Sequence, residues 1–294
     1  MNASTFEASL ALDAQAELGE GPLWDDDAGC LYFVDILAGR VHRFDPRNGA
    51  TRTYEVRRLV GAVAATDRGD LVLAVRDGFA RLDLETGAVQ DLARLPSDAS
   101  DLRMNDGKCD PAGRFWAGTM ALDERAGAGA LYRLDPDGVV STILSLVTIS
   151  NGLDWSADGR RMFFIDSPTQ RIDVFDFDPA RGTIANRRPF VQIAPDAGMP
   201  DGLTVDAEEH VWVSLWGGGA VHRYRPDGSL DAAVGLPVAF PTSCVFGGAD
   251  MRDLYITTAA VRLSPEERAR QPAAGGVFRC RPGPAGRRAN RFKG

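Results

Sequence analysis

Apolar and polar positions along the chain follow a recurring phrase: a short apolar segment, an Asp/Gly turn, then a run of β-branched and aromatic residues. The runs are "CLYFVDI" (30–36), "DLVLAVR" (70–76), "RFWAGTM" (114–120), "RMFFIDS" (161–167), "HVWVSLW" (210–216) and "DLYITTA" (253–259), so they begin about every 40 to 50 residues. Each is bounded by turn formers and is too short for a helix of this character, which predicts a buried strand. A third element follows each run: "RVHRFDP" (40–46), "GFARLDL" (78–84), "ALYRLDP" (130–136), "RIDVFDF" (171–177), "AVHRYRP" (220–226) and "GVFRCRP" (276–282). Most of these alternate apolar with polar residues, as half-buried strands do, and several end at a Pro that cannot continue a ladder. A weaker fourth segment comes next, for example "TRTYEVR" (51–57), "VQDLARL" (89–95) or "VSTILSL" (140–146).

This period marks repeated supersecondary units. Four antiparallel strands in each of six units predict an all-β fold, a six-bladed β-propeller. The sixth unit lacks a fourth segment, and the N-terminal "FEASLALD" (6–13) is free to supply it, sealing the ring with a strand from the opposite end of the chain. An open stack of sheets would leave two exposed edges. An all-β sandwich also has short strands, but nothing in it demands a repeat of roughly 45 residues. One short helix is predicted at Ser264-Pro265-Glu266-Glu267, which combines an N-cap, a Pro at the first position and a capping-box Glu. Residues 1–294 are thus expected to form a single propeller domain, with about 283–294 as a flexible, solvated tail.

Composition narrows the function. Apolar content of 44% and charged content of 25% are ordinary for a globular chain. A net charge of −8 argues against a nucleic-acid partner, which requires a basic face. No apolar run approaches the ~20 residues of a membrane span, so no membrane partner is expected. The opening "MNASTFEASLALD" has no basic region before its apolar residues, so no signal peptide is predicted and a cytoplasmic location is expected. Cys30, Cys109, Cys244 and Cys280 are far apart and form no C-x-x-C pair, which fits reduced thiols. Oligomeric state is left as a monomer or a small homo-oligomer.

Candidate chemistry comes from where the polar residues fall within the repeat. Aligned on the turn before the second strand, Glu20, Asn105, Asn151 and Asp201 occupy the same place in four units, just ahead of the first strand. Each of Asn105-Asp106-Gly107, Asn151-Gly152 and Asp201-Gly202 is, alone, a turn or strand-entry signal. In register on a propeller, however, the four side chains should converge on one mouth of the central channel. Massed carboxylate and amide oxygens form the ligand set of a hard divalent cation: Ca, Mg or Mn, or a tolerant Zn or Fe. Without a cation Glu20 and Asp201 would repel each other in a partly desolvated throat. No G-x-S-x-G elbow or P-loop is present, and His42 and His222 fall at third-strand positions away from that mouth. A His-based metal site or Ser-His triad is therefore not expected.

The stretches "LGEGPLW", "RMNDGKCDPAGRFWAGTM", "SNGLDWSADGRRMFFIDS", "PDGLTVDAEEHVWVSLWGGG" and "RQPAAGGVF" resemble the gluconolactonase/regucalcin (senescence-marker-protein, luciferin-regenerating-enzyme-like) family from about residue 17 to 280. That resemblance implies a single divalent metal in the channel and hydrolysis of sugar-acid lactones. By motif, the implied metal ligands are Glu20, Asn151 and Asp201. The implied substrate contacts are Arg103 and Asn105, with Asp123 in place of the family's acidic residue after "AGTM", or Glu124 after a one-residue shift. Asp201 is the candidate to orient or deprotonate the attacking water. The expected substrate is an aldonolactone such as a glucono-, galactono-, xylono- or arabinono-lactone. Two alternatives stand beside it: another metal-dependent ester or phosphotriester hydrolase, and a non-catalytic calcium-binding regulatory propeller.

Overall fold

The computed structural model describes residues 3–96 and 100–294. Six sheets surround a central channel, each a blade whose strands run from the channel to the rim. Blade 1 comprises Gly19–Asp25, Cys30–Asp35, Arg40–Asp45 and Ala50–Glu55, and blade 2 comprises Val60–Ala65, Leu71–Val75, Gly78–Leu82 and Val89–Arg94. Blade 3 is Leu102–Cys109, Phe115–Ala121, Gly129–Leu134 and Val140–Val147; blade 4 is Ser150–Trp155, Arg161–Asp166, Arg171–Asp178 and Thr183–Gln192. Blade 5 is Met199–Val205, Val211–Trp216, Ala220–Tyr224 and Leu230–Gly235. Blade 6 has Pro241–Gly247, Asp253–Thr258 and Val277–Cys280 from the C-terminal part of the chain. The all-β, six-bladed expectation holds.

The continuous apolar runs follow from where the core lies. Six hydrophobic clusters fill the gaps between neighbouring blades. Successive side chains point to opposite faces of a strand. In blade 4, Phe163 and Ile165 therefore pack against blade 5, while Met162 and Phe164 pack toward blade 3. Both faces of an inner strand are covered, so alternation disappears from its sequence. Burial falls away at the rim, where Ala50–Glu55 is exposed everywhere except Tyr54.

The N-terminal segment closes the ring, and it does so twice. Ser9–Leu12 pairs antiparallel with Val277–Cys280 and completes blade 6. Ser4–Glu7 turns the other way and pairs parallel with Leu230–Gly235, adding a fifth strand to blade 5. The predicted helix forms over Pro265–Arg270, with Ser264 and Glu267 satisfying each other's backbone amides.

A recurrent polar device ends the inner strands. The side-chain oxygens of Asp25, Thr66, Asp110, Ser156 and Asp206 each accept backbone N–H groups of the turn that follows. Asp110 and Asp206 also take the indole N–H of Trp116 and Trp212, at 3.0 and 2.9 Å. These turn-capping oxygens hold the inner strand against the second strand at the end of the channel opposite Glu20 and Asp201.

Residues 283–294, expected to be a flexible, solvated tail, instead cross that far mouth of the channel. Phe292 is 2% exposed in the core between blades 2 and 3, and its N–H donates to the Ala65 carbonyl at 2.8 Å. Arg291 pairs with Asp25 at 2.6 Å, and Asn290 donates to the Cys109 carbonyl at 3.1 Å. One buried aromatic ring and a set of guanidinium contacts anchor a segment whose composition alone suggested solvent.

Candidate metal centre and active site

The near mouth of the channel opens into a cavity of about 230 Å³ lined by Glu20, Arg103, Asn105, Glu124, Asn151, Ser167, Asp201 and Arg262, among others. Glu20, Asn105, Asn151 and Asp201 lie on four inner strands, as their shared register predicts. One detail differs. They sit inside those strands rather than ahead of them, each where the pairing with the second strand shifts register: Glu20/Leu23, Met104/Gly107, Ser150/Leu153 and Pro200/Leu203. A β-bulge re-aims the bulged side chain, and here it occurs at equivalent positions around the channel.

The glycine after Asn151 is thereby explained. A Cβ on Gly152 would lie 2.6 Å from the Leu203 N and 2.7 Å from the Asp201 O. Gly152 is required for the close approach of the blade 5 inner strand, and no hairpin turn forms there. Asn-Gly marks the bulge, and the turn of the unit comes later, at Ser156.

Hydrogen bonds separate the two amides. Asn105 Nδ2 donates to the Ser150 carbonyl at 2.8 Å and its Oδ1 accepts from Arg103 Nη1 at 2.6 Å, so its oxygen is engaged. Asn151 Nδ2 donates to Ser167 Oγ at 2.9 Å, and that hydroxyl donates onward to the Pro200 carbonyl at 2.7 Å. This chain fixes the Asn151 amide with its NH2 toward Ser167. Asn151 Oδ1 is left buried without a hydrogen-bond partner. Such an atom normally has one.

The carboxyls around it are equally unusual. Burial first, then the charges of Asp201 and Asp106, push Glu20 well above the usual carboxylate range. Burial and Asp106 push Asp201 in the same direction, with Arg103 and the Asn151 amide pulling it back. Asp106 is raised to about 6 by burial, with Lys108 opposing. Burial lowers Arg103 to about 10 against the pull of Glu20 and Asp201. Two buried carboxyls and an unpartnered amide oxygen lining one cavity fit a hard divalent cation.

Glu124, and not Asp123, lines the mouth. Asp123 is exposed and bonds to Arg125 at 3.0 Å. Ser167 and Arg262 were not foreseen as site residues. Ser167 follows Asp166 in the "RMFFIDS" run, one position beyond the strand, which was the only hint available. A second acidic group, Asp206, Glu208 and His210, also gathers potential ligand atoms. It lies at the far end of the blade 5 inner strand, and the Arg223 guanidinium already fills it, 2.7 Å from Asp206 and 2.6 Å from Glu208. That group is an ion-pair network with a structural part.

Fold and site together define a six-bladed propeller with an oxygen-rich acidic funnel at one end of its channel. Residues 18–260 match the family described as the SMP-30/gluconolactonase/LRE-like region. The chain is 38% identical to the Bacillus subtilis (strain 168) protein named "Putative sugar lactone lactonase YvrE", over 93% of this chain and 94% of that one. It is 41% identical to Gallus gallus regucalcin, over 89% and 90%. A crystal structure of a calcium-binding protein, regucalcin, from Agrobacterium tumefaciens superposes with a TM-score of 0.95 at 28% identity, covering 99% of this chain and 100% of that one. The protein belongs to the SMP-30/gluconolactonase/LRE-like family.

Proposed function

We propose that the protein is a lactonase that opens a sugar-acid lactone to the free aldonic acid, using one divalent cation held by Glu20, Asn151 and Asp201. The observation that carries this reading is Asn151 Oδ1, buried and unpartnered in the same cavity as two buried carboxyls. Other buried polar atoms also lack a partner, but Asn151 Oδ1 does so in a cavity that Glu20 and Asp201 also line. The family relationship and the lactonase name of the Bacillus relative support the reaction class.

When bound, the cation supplies Lewis-acid polarisation of the lactone carbonyl. The remaining work falls to side chains of this chain. Arg103 is anchored through Nη1 to the Met104 carbonyl and Asn105, and its buried guanidinium is aimed as a fixed donor for the carbonyl or a neighbouring hydroxyl. Asn105 is locked by Ser150 and so keeps Arg103 from rotating. Asp201 holds the attacking water through a carboxylate oxygen and receives its proton as the water oxygen bonds to the carbonyl carbon. The ring C–O bond then breaks, and the proton passes to the departing ring oxygen, leaving a carboxylic acid and a hydroxyl. Ile149, Met199 and Trp216 add apolar surface to the walls around this point.

The test is a pH-stat panel of glucono-, galactono-, xylono- and arabinono-lactones against aryl esters and phosphotriesters. It is run with Ca, Zn, Mn, Mg or Fe, and again in chelator. Chelator-sensitive hydrolysis with preference for a sugar lactone is expected. Full activity in chelator, or a faster reaction with the aryl ester or phosphotriester, would overturn the reading.

A further inference from the structure

Two loops from opposite sides of the ring meet across the cavity mouth. Glu124, between the second and third strands of blade 3, and Arg262, after the second strand of blade 6, form an ion pair between residues 138 positions apart. Both have backbone φ in the left-handed region, 59° and 71°, which non-glycine residues seldom adopt. Such outliers persist where the surroundings hold them and where they are used.

Both turns are pinned. Glu124 N–H donates to the Ala121 carbonyl at 3.0 Å, and Leu122 N–H to Asp101 at 2.9 Å. On the other side, the N–H groups of Ala260 and Val261 both donate to the Glu17 carbonyl, at 3.0 and 2.9 Å, and the helix N-cap, Ser264, stands two residues beyond Arg262. Two strained backbones on fixed turns thus carry opposite charges to one point over the cavity. Among the described residues Arg262 is the only side-chain partner of Glu124. Among the described residues the other carboxylate oxygen of Glu124 has no hydrogen-bond partner.

We propose that Arg262 is a positioning residue for specificity: it holds Glu124 over the mouth as an acceptor for the distal hydroxyls of a neutral, polyhydroxylated lactone. The assignment rests on the lactonase reading above and adds which substrates the site selects. Arg103 offers donors at the floor of the cavity, and Glu124 offers an acceptor at its rim, which together match a ring bearing hydroxyls far from its carbonyl. Among the described residues that line the mouth, Arg262 is already paired with Glu124, so the rim offers a neutral ion pair rather than a free cation to recruit a lactone that carries a carboxylate.

The experiment compares glucono-1,5-lactone with δ-valerolactone, which has the same ring and no hydroxyls, on the metal-loaded wild type, R262A, R262K and E124Q. R262A and E124Q are expected to raise KM for gluconolactone about tenfold, the loss of one charge-assisted hydrogen bond. Their kcat should stay within about twofold, and δ-valerolactone should be unaffected, because Glu124 has nothing to accept from it. R262K should retain most of the wild-type KM. An equal rise in KM for both lactones would mean a collapsed mouth and would overturn the proposal. So would an unchanged KM for gluconolactone, or an R262K as impaired as R262A. Failure of the wild type on both lactones would remove the lactonase reading and this inference with it.

Discussion

Replacing Asp201 with Asn should move stability in opposite directions with and without metal. In chelator, Glu20 and Asp201 are buried carboxyls whose pKa values are raised, chiefly by burial and then by neighbouring carboxyls. Each binds its proton more tightly folded than unfolded. Its stabilising contribution is present below the ordinary carboxylate pKa of about 4 and is lost as pH climbs through the raised value. Near pH 8, D201N removes one of these groups and should relieve on the order of 2 kcal/mol. A chain of 294 residues unfolds with an entropy of about 0.6 kcal/mol/K, so Tm should rise by about 3 °C. The Tm of the chelated wild type should also fall more steeply than that of D201N as pH is raised from 5 to 8. Adding calcium to a hundred times its Kd stabilises the wild type by about 2.7 kcal/mol, close to 4 °C. D201N lacks a charged ligand and should gain little at the same concentration. Differential scanning fluorimetry in chelator and in calcium measures both effects. A D201N protein no more stable than wild type in chelator, or one shifted equally by calcium, would refute the reasoning.

Four further outcomes are expected. R103M should lower kcat/KM for the preferred lactone about a hundredfold, since it removes the anchored donor at the cavity floor, and should lower Tm by about 3 °C, since it leaves Asn105 Oδ1 buried without its donor; steady-state kinetics and fluorimetry check both. R223M should destabilise by about 3 kcal/mol in urea titration, because it leaves Asp206, whose side chain is 0% exposed, without its guanidinium. D206N in turn should leave metal content by elemental analysis unchanged, since that acidic group holds Arg223. F292A should cost about 3 kcal/mol in the same urea assay, which a solvated tail would not do.

The blades were legible because the core lies between them. Each inner and second strand is covered on both faces, so "RMFFIDS" and "HVWVSLW" stand out from the turns around them. The register of Glu20, Asn151 and Asp201 was legible for the same reason, since it is a property of the repeat. What lay outside the repeat stayed hidden. Arg262 belongs to a loop that differs from blade to blade; Glu124 was reached only through the family motif, and the meeting of the two depends on ring closure. The seat of Phe292 is a long-range contact that one aromatic in a Gly/Pro/Arg segment does not announce. Phe6 and Glu7 were read as part of the closing segment 6–13, yet the short segment Ser4–Glu7 carries no signal for parallel pairing with Leu230–Gly235. The bulges were invisible because Asn-Gly and Asp-Gly signal a turn and a bulge alike.

The double use of the N-terminal segment also has a consequence in time. Ser9 bonds to the Arg279 carbonyl, a residue 270 positions later. At a synthesis rate of about 5 to 20 residues per second, the segment waits on the order of tens of seconds for its partner to be made. During that interval blade 1 lacks its neighbour in blade 6, and the Trp24–Tyr255 stack between them cannot form. Final closure must follow the emergence of Val277–Cys280 from the ribosome, so the nascent chain has to keep a short, half-exposed strand unpaired until nearly everything else has been synthesised.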